Sequence, residues 1–158
     1  MKKVNLLSGL PKDKSGDREV FKKFLALDGK KIICGSSTLA AFCRVTEKNS
    51  AANFESFKEG NPAYYHIEGI DFASEGAVTL NHCFKFLSCG EVLSKTGEEL
   101  GKLLSECDEI NFFIGSAENK NQTQDFFKKH EMLPRAEITE KIKDVLAKYK
   151  KKVNIKKF

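Results

Sequence analysis

Four short apolar runs constrain this chain most: "KVNLL" (residues 3–7), "KIIC" (31–34), "IDFAS" (70–74) and "INFFIG" (110–115). Each is too short for a helix, rich in β-branched or aromatic residues, and bounded by turn residues, which reads as strand. Between them apolar residues recur at helical spacing. Val20, Phe21, Phe24 and Leu25 form one stripe; Leu39, Ala40, Phe42 and Cys43 form a second. Leu100, Leu103, Leu104 and Cys107 form a third; Ile138, Ile142, Val145, Leu146 and Tyr149 form a fourth. Strands that alternate with helices need crossover connections, and these are right-handed. The expected fold is α/β: a three-layer, Rossmann-like, mostly parallel sheet with helices on both faces.

Local signals place the element ends. Asp17 is expected to cap the first helix, and Ser36 or Ser37 the second. Asn81 is expected to start a short helix over Cys83 to Leu87 that Gly90 stops. Thr96-Gly97-Glu98-Glu99 is a capping-box pattern, in which the hydroxyl and the carboxylate satisfy two free N–H groups. "YYHIEGIDFAS" holds one or two strands, and "VNIKKF" (153–158) alternates like a last strand. Residues 46–63 read as a polar excursion, and 116–132 as another with a helical segment. With no repeat and no linker composition, residues 1–158 form a single domain.

Composition narrows the class. Hydrophobic residues make up 41% and charged residues 31% of 158, as in an ordinary folded domain. No apolar run approaches the roughly 20 residues of a membrane span, so no membrane partner is expected. The five cysteines include no C-x-x-C pair, and the three histidines are scattered. Reduced thiols, a cytoplasmic protein and no metal site are the reading. Residues 141–158 hold eight lysines and one aspartate, so the basic character belongs to the C-terminus and the rest is slightly acidic. Lysine without interleaved arginine and aromatics suits a solvated edge and argues against a nucleic-acid partner.

Parallel sheets bind ligands at the carboxyl ends of their strands. Three exits here carry glycine and small polar residues: Gly35-Ser36-Ser37-Thr38, Ser74-Glu75-Gly76, and Gly115-Ser116-Ala117-Glu118-Asn119. If the strands are neighbours, these turns converge on one crevice. Free N–H groups at a helix start, with hydroxyls beside them, can hold an anion. The same residues also serve as plain caps. Asp71 and Glu75 share a strand face by even spacing and invite an acid–base reading, although turn residues are commonly acidic. No histidine or second carboxylate completes it.

The blocks "LLSGLPKDK", "DGKKIICGSST", "IEGIDFASEGAVTL" and "EINFFIGSAEN", followed by a basic helix and strand, resemble a known arrangement. It is the region that follows the catalytic domain in bacterial proteins of the stage II sporulation protein E-type serine/threonine phosphatase family. The resemblance spans about residues 4–158 and implies an accessory α/β domain of a larger protein, or a stand-alone relative. The family's metal-binding aspartates belong to the phosphatase domain, which is absent here, so no catalytic residue carries over. Where the family tends to read Gly-Gly-Thr-Thr, this chain has Gly35-Ser36-Ser37-Thr38. Ser36 would be strained if the second glycine needs a left-handed backbone. Thr-Glu-Gly becomes Ser74-Glu75-Gly76, and Gly-Thr-Ala-Ile-Asn becomes Gly115-Ser116-Ala117-Glu118-Asn119. A histidine of the family has no counterpart among Lys120 to Asp125, and Thr139 and Glu140 stand about where an arginine pair is expected.

The resemblance and the three exits imply a non-catalytic regulatory or small-ligand-sensing domain without a cofactor. Its partners would be a small anionic ligand and a phosphatase domain, with a homodimer as a further option. Two alternatives stay open. One is an enzyme on a small phosphorylated or carbonyl substrate, using Glu75 or Asp71 as base. The other is an interaction or dimerisation module using Phe54, Phe57, Tyr64 and Tyr65.

Overall fold

A computed structural model describes residues 2–52, 62–117, 124–129 and 131–158. The strands are β1 (Lys3–Ser8), β2 (Lys30–Cys34), β3 (Ala51–Ala52), β4 (Tyr64–Ile67), β5 (Ile70–Ser74), β6 (Glu109–Ile114) and β7 (Lys152–Lys157). The helices are α1 (Asp17–Leu25), α2 (Ser36–Thr46), α3 (Ala77–Cys89), α4 (Lys95–Ser105), α5 (Gln124–Lys129) and α6 (Arg135–Lys148). None of the described helices is long and apolar enough to cross a membrane.

The strands form one seven-stranded sheet in the order β3-β4-β5-β2-β1-β6-β7. β5, β2, β1, β6 and β7 are mutually parallel. β3 and β4 extend the edge antiparallel, and β4 returns into β5 through Gly69 at φ 86°. The chain starts at β1, steps one way to β2 and β5, then crosses back to β6 and β7 on the other side. With right-handed crossovers, the two directions of travel send helices to opposite faces. Strand residues accordingly alternate between two clusters. Leu6, Ile32, Phe72 and Phe112 pack with Leu80 of α3, Leu104 of α4 and Ile142 of α6. Leu7, Ile33 and Ala73 pack with Phe24 of α1 and Phe42 of α2. Phe21 meets Phe42 edge-on at 5.3 Å between centroids. Each such side chain, nearly or fully buried, contributes about 1.5–3 kcal/mol, so the two clusters anchor the sheet.

Polar residues inside strands are also accounted for. Asn5, Asn111 and Asn154 stand in register on β1, β6 and β7. The Nδ2 of Asn111 donates to Asn5 Oδ1 at 3.2 Å, and that of Asn154 donates to Asn111 Oδ1 at 2.8 Å. At the sheet edge, β7 turns Val153 and Ile155 toward the first cluster and exposes Lys152, Lys156 and Lys157.

Several helix starts differ from the sequence expectation. α3 begins at Ala77, so Asn81 lies inside it. Gly16 and Gly35 hold the cap positions of α1 and α2, neither with a side-chain cap bond; Asp17, Ser36 and Ser37 are already helical. α4 is capped by Ser94, whose Oγ accepts from the Gly97 N–H at 3.0 Å. Thr96 instead donates to the Pro62 carbonyl at 3.0 Å. Tyr149 caps the end of α6 and is 62% exposed, so the stripe ends at Leu146. In each case glycine or a neighbouring tertiary contact overrides the local cap signal. Phe54 and Phe57 lie outside the described residues, while Tyr64 and Tyr65 are half-buried against the two clusters.

α3 and α4 pack closely because α4 offers glycine at two contacts. A Cβ on Gly97 would sit 2.4 Å from the Cβ of His82, and one on Gly101 would sit 2.3 Å from Phe86 Cδ1. His82 is buried there, with Nδ1 2.8 Å from Ser94 Oγ. Burial lowers its pKa from the ordinary 6.5. The unfolded chain therefore takes up this proton at a higher pH than the folded one. The stability due to neutral His82 is complete above about 6.5 and is lost as the pH falls through the folded value. The expected result is a melting temperature that declines between pH 7 and 5 more steeply in the native chain than in His82→Gln. Equal slopes in thermal melts would remove this assignment.

Candidate functional site

β1 and β6 are neighbours, but the chain leaves them toward different faces. That makes their carboxyl ends the switch point of the sheet, where open α/β folds form a crevice. The two exits approach backbone to backbone. Gly115 N–H donates to Ser8 O, and Ala117 N–H to Leu10 O, both at 2.9 Å. A Cβ on Gly115 would lie 2.2 Å from Leu10 N and 2.4 Å from Gly9 C. Only glycine permits that approach. Gly115→Ala is expected to cost about 2–3 kcal/mol, the upper range for overpacking, read as a lower midpoint in urea denaturation. A loss under 0.5 kcal/mol, on the order of an ordinary surface change, would contradict it.

The exits of β2 and β5 meet in the same way. Gly35 adopts φ 144° and ψ 124°, and its N–H donates to Ser74 O at 2.8 Å. A Cβ on Gly76 would come within 3.3 Å of the Gly35 Cα. The N-termini of α2 and α3 are therefore side by side. Neither has a side-chain cap bond or an acidic residue in its first turn, so partial positive charge is left uncovered at both. Ser36 has no left-handed backbone; it is simply helical, and replacing a second glycine there brings no strain.

The hydroxyls divide into two groups. Thr38 Oγ1 accepts from the Gly9 N–H at 2.9 Å, Ser8 Oγ donates to the Cys34 carbonyl, and Ser74 Oγ donates to Cys34 Sγ at 3.8 Å. These three tie the strand exits together and are buried. Ser36 and Ser37 are exposed and free to face a ligand. Ser116 is exposed as well, and its N–H donates to Phe158 O at 2.7 Å. Glu118 and Asn119 lie outside the described residues.

Asp71 is not at this edge. It is exposed near the amino end of β5, where its Oδ2 accepts from the Lys31 N–H at 2.8 Å. Glu75 follows the other end of that strand, about 13 Å away at ~3.3 Å per residue. That separation is too long for the two carboxylates to act on one bond, so the pair expected from even spacing is not a catalytic constellation. Glu75 faces Tyr65, whose phenol is raised first by burial and second by that carboxylate.

The residue that sequence reading missed is Arg135. It opens α6 directly after Pro134. Its Nη1 lies against Gly9, where a Cβ would come within 2.3 Å of it. Its Nε is fully buried and has no hydrogen-bond partner. No ion pair engages the guanidinium among the described residues. Burial holds its pKa below the ordinary guanidinium value, and a nearby Cys34 works in the other direction; a guanidinium nevertheless stays protonated in proteins. Cys34 cannot balance that charge. Burial pushes its thiol up to about 12, against the smaller opposing effects of the Ser74 hydroxyl and of Arg135, so it is neutral. The approach to Arg135 is rigid. Asn81 Oδ1 accepts from the Leu133 N–H at 2.9 Å, and its Nδ2 donates to Leu133 O and Ala77 O, both at 2.8 Å. The one available signal was rarity: Arg135 is among only three arginines, and it follows proline at a helix start.

The arrangement can hold an anion: one half-buried cation with no ion pair among the described residues lies beside glycine backbone, with uncapped helix starts at the same edge. Among the described residues no group of histidine, cysteine, aspartate and glutamate could hold a metal ion. Comparison with known proteins finds no match: no family model, no curated protein and no solved structure resembles the chain significantly.

An unpaired buried charge destabilises a fold. Arg135→Met is therefore expected to raise the stability of the ligand-free protein by about 1 kcal/mol, measured by denaturant titration. A loss of stability would assign Arg135 a structural role instead.

Proposed function

We propose that this chain is a non-catalytic regulatory domain that senses a small anion at the carboxyl edge of its sheet. In the setting that the family resemblance implies, it signals occupancy to a phosphatase domain in the cytoplasm. The observation that carries the reading is the Arg135 guanidinium, half-buried at the switch point, with a buried Nε that has no hydrogen-bond partner. An unpaired polar atom inside a fold calls for an explanation, and an anion from outside supplies one. The convergence of Gly35 with Gly76, and of Gly9 with Gly115, supports the same place. The separation of Asp71 from Glu75 weighs against the enzyme alternative.

A ligand that binds only the folded state raises its melting temperature by mass action. Inorganic phosphate, nucleoside phosphates and small carboxylates, screened by thermal shift, are expected to include at least one that stabilises the native chain by several degrees. Arg135→Gln is expected to abolish that shift. The reading fails if no compound shifts the native chain, or if the shift survives unchanged in Arg135→Gln.

A further inference from the structure

A cavity opens at the other edge of the sheet, where the strands begin. Its volume is about 320 Å³, and it is bounded by Lys2 and Lys3 at the start of β1, Gly29 and Lys30 at the start of β2, and Glu106 and Cys107 after α4. That is room for a compact ligand, at the small end of ligand pockets. Strand alternation decides which lysines face it. Val4 and Leu6 of β1 and Ile32 of β2 pack with Leu104 and Cys107. Lys2 stands two residues before Val4, and Lys30 two before Ile32, so both belong to that same face. The register agrees, since Lys30 pairs with Val4. Lys3 belongs to the opposite face, where it and Lys152 share the Glu109 carboxylate, each at 3.7 Å. The two strand starts are held close by Gly29, at φ 103°, where a Cβ would come within 2.6 Å of Lys3 O.

The Lys2 and Lys30 charges are left over from the fold. Both residues are exposed, and neither ammonium has an ion pair among the described residues. The carbonyls after α4 already have their cation, because Lys151 Nζ donates to Cys107 O at 2.5 Å. Glu106 is the one carboxylate on the cavity wall among the described residues. The positive charges are felt at the buried sulfur: burial raises the Cys107 thiol above its ordinary value, Lys30, Lys151 and Lys2 pull it down, and Glu106 pushes it up. Like charges gathered at one cavity repel each other. An anion with two charges on one centre answers two ammonium groups at once, and lysine meets it as a point charge.

We propose that this cavity is a second anion site, formed by Lys2 and Lys30, for a doubly charged tetrahedral oxyanion: the phosphoryl or sulfuryl group of a small molecule. It is separate from the Arg135 crevice, which lies at the far end of β1, roughly 20 Å away at ~3.3 Å per residue.

The test uses the Arg135→Gln chain, which keeps ligand at the carboxyl edge out of the signal. Sulfate, inorganic phosphate and acetate are titrated at pH 8 and constant ionic strength, and the backbone amides of Gly29 and Cys107 are followed by NMR. Sulfate or phosphate is expected to shift them saturably and at least fivefold more tightly than singly charged acetate, and the tighter of the two tells the phosphoryl from the sulfuryl source. Lys2→Gln combined with Lys30→Gln is expected to weaken that binding at least tenfold. Lys152→Gln combined with Lys156→Gln removes the same charge from the opposite face and is expected to stay within twofold; a thermal melt confirms that each variant is folded. The proposal is overturned if neither doubly charged anion moves these amides, if acetate binds as tightly, or if the Lys152 and Lys156 changes cost as much as the Lys2 and Lys30 changes, which would be general attraction to a basic edge. Each of these results leaves the Arg135 reading standing, since that one is measured on the native chain. Shifts at Gly29 and Cys107 that occur in the native chain and vanish in Arg135→Gln would likewise remove the second site and keep the first.

Discussion

The position of β1 governs the rest of the molecule. It is the first strand in the chain and lies between β2 and β6, fully paired on both sides. Such a strand must be apolar on both faces, and Val4, Leu6 and Leu7 are completely buried. It also forces the chain to travel first one way and then the other, which puts the α1 and α2 side chains in one cluster and those of α3, α4 and α6 in the other. The switch point between β1 and β6 is the geometric consequence. Gly9 and Gly115 are the two residues whose lack of a side chain lets the exits close up there.

Arg135 follows from the same constraint. α6 must return from β6 to β7 over the face that carries Leu6 and Phe112, and its start lands above the exit of β1. A guanidinium placed there is hemmed in by Gly9, Cys34 and the strand exits. Water has little access to Nε, and no carboxylate of the described residues pairs with it. The fold thereby maintains a charge that no carboxylate of the described residues neutralises, which is the feature the anion proposal rests on.

Much of this was legible in the residues. The runs "KVNLL", "KIIC", "IDFAS" and "INFFIG" are buried on both faces or nearly so, so their apolar content marks them clearly, and strand–helix alternation gives the parallel sheet. Helix starts were less legible. Ser36, Asn81 and Thr96 are all good cap residues, but the caps are Gly35, Gly76 and Ser94, because close backbone approaches at Gly35 and Gly76 outweigh side-chain capping. The glycine and hydroxyl character of the exits pointed to the right edge of the sheet. It could not separate Thr38 and Ser74, which tie strands together, from Ser36 and Ser37, which stay exposed. Arg135 was out of reach, since its burial depends on which strand α6 crosses, a property of topology and not of local pattern. Asp71 shows the converse: even spacing put it on the face of Glu75, but at the opposite end of the strand.

The most direct measurement is of the Arg135 side chain itself. Nitrogen-15 NMR of the native chain, with Arg135→Gln to assign the Nε–H resonance, can follow that group during titration with inorganic phosphate and with acetate. The account predicts that the Nε–H signal, which reports on the surroundings of that guanidinium, shifts saturably with one of them. An Nε–H resonance that stays in place while backbone amides elsewhere move with the ligand would contradict it.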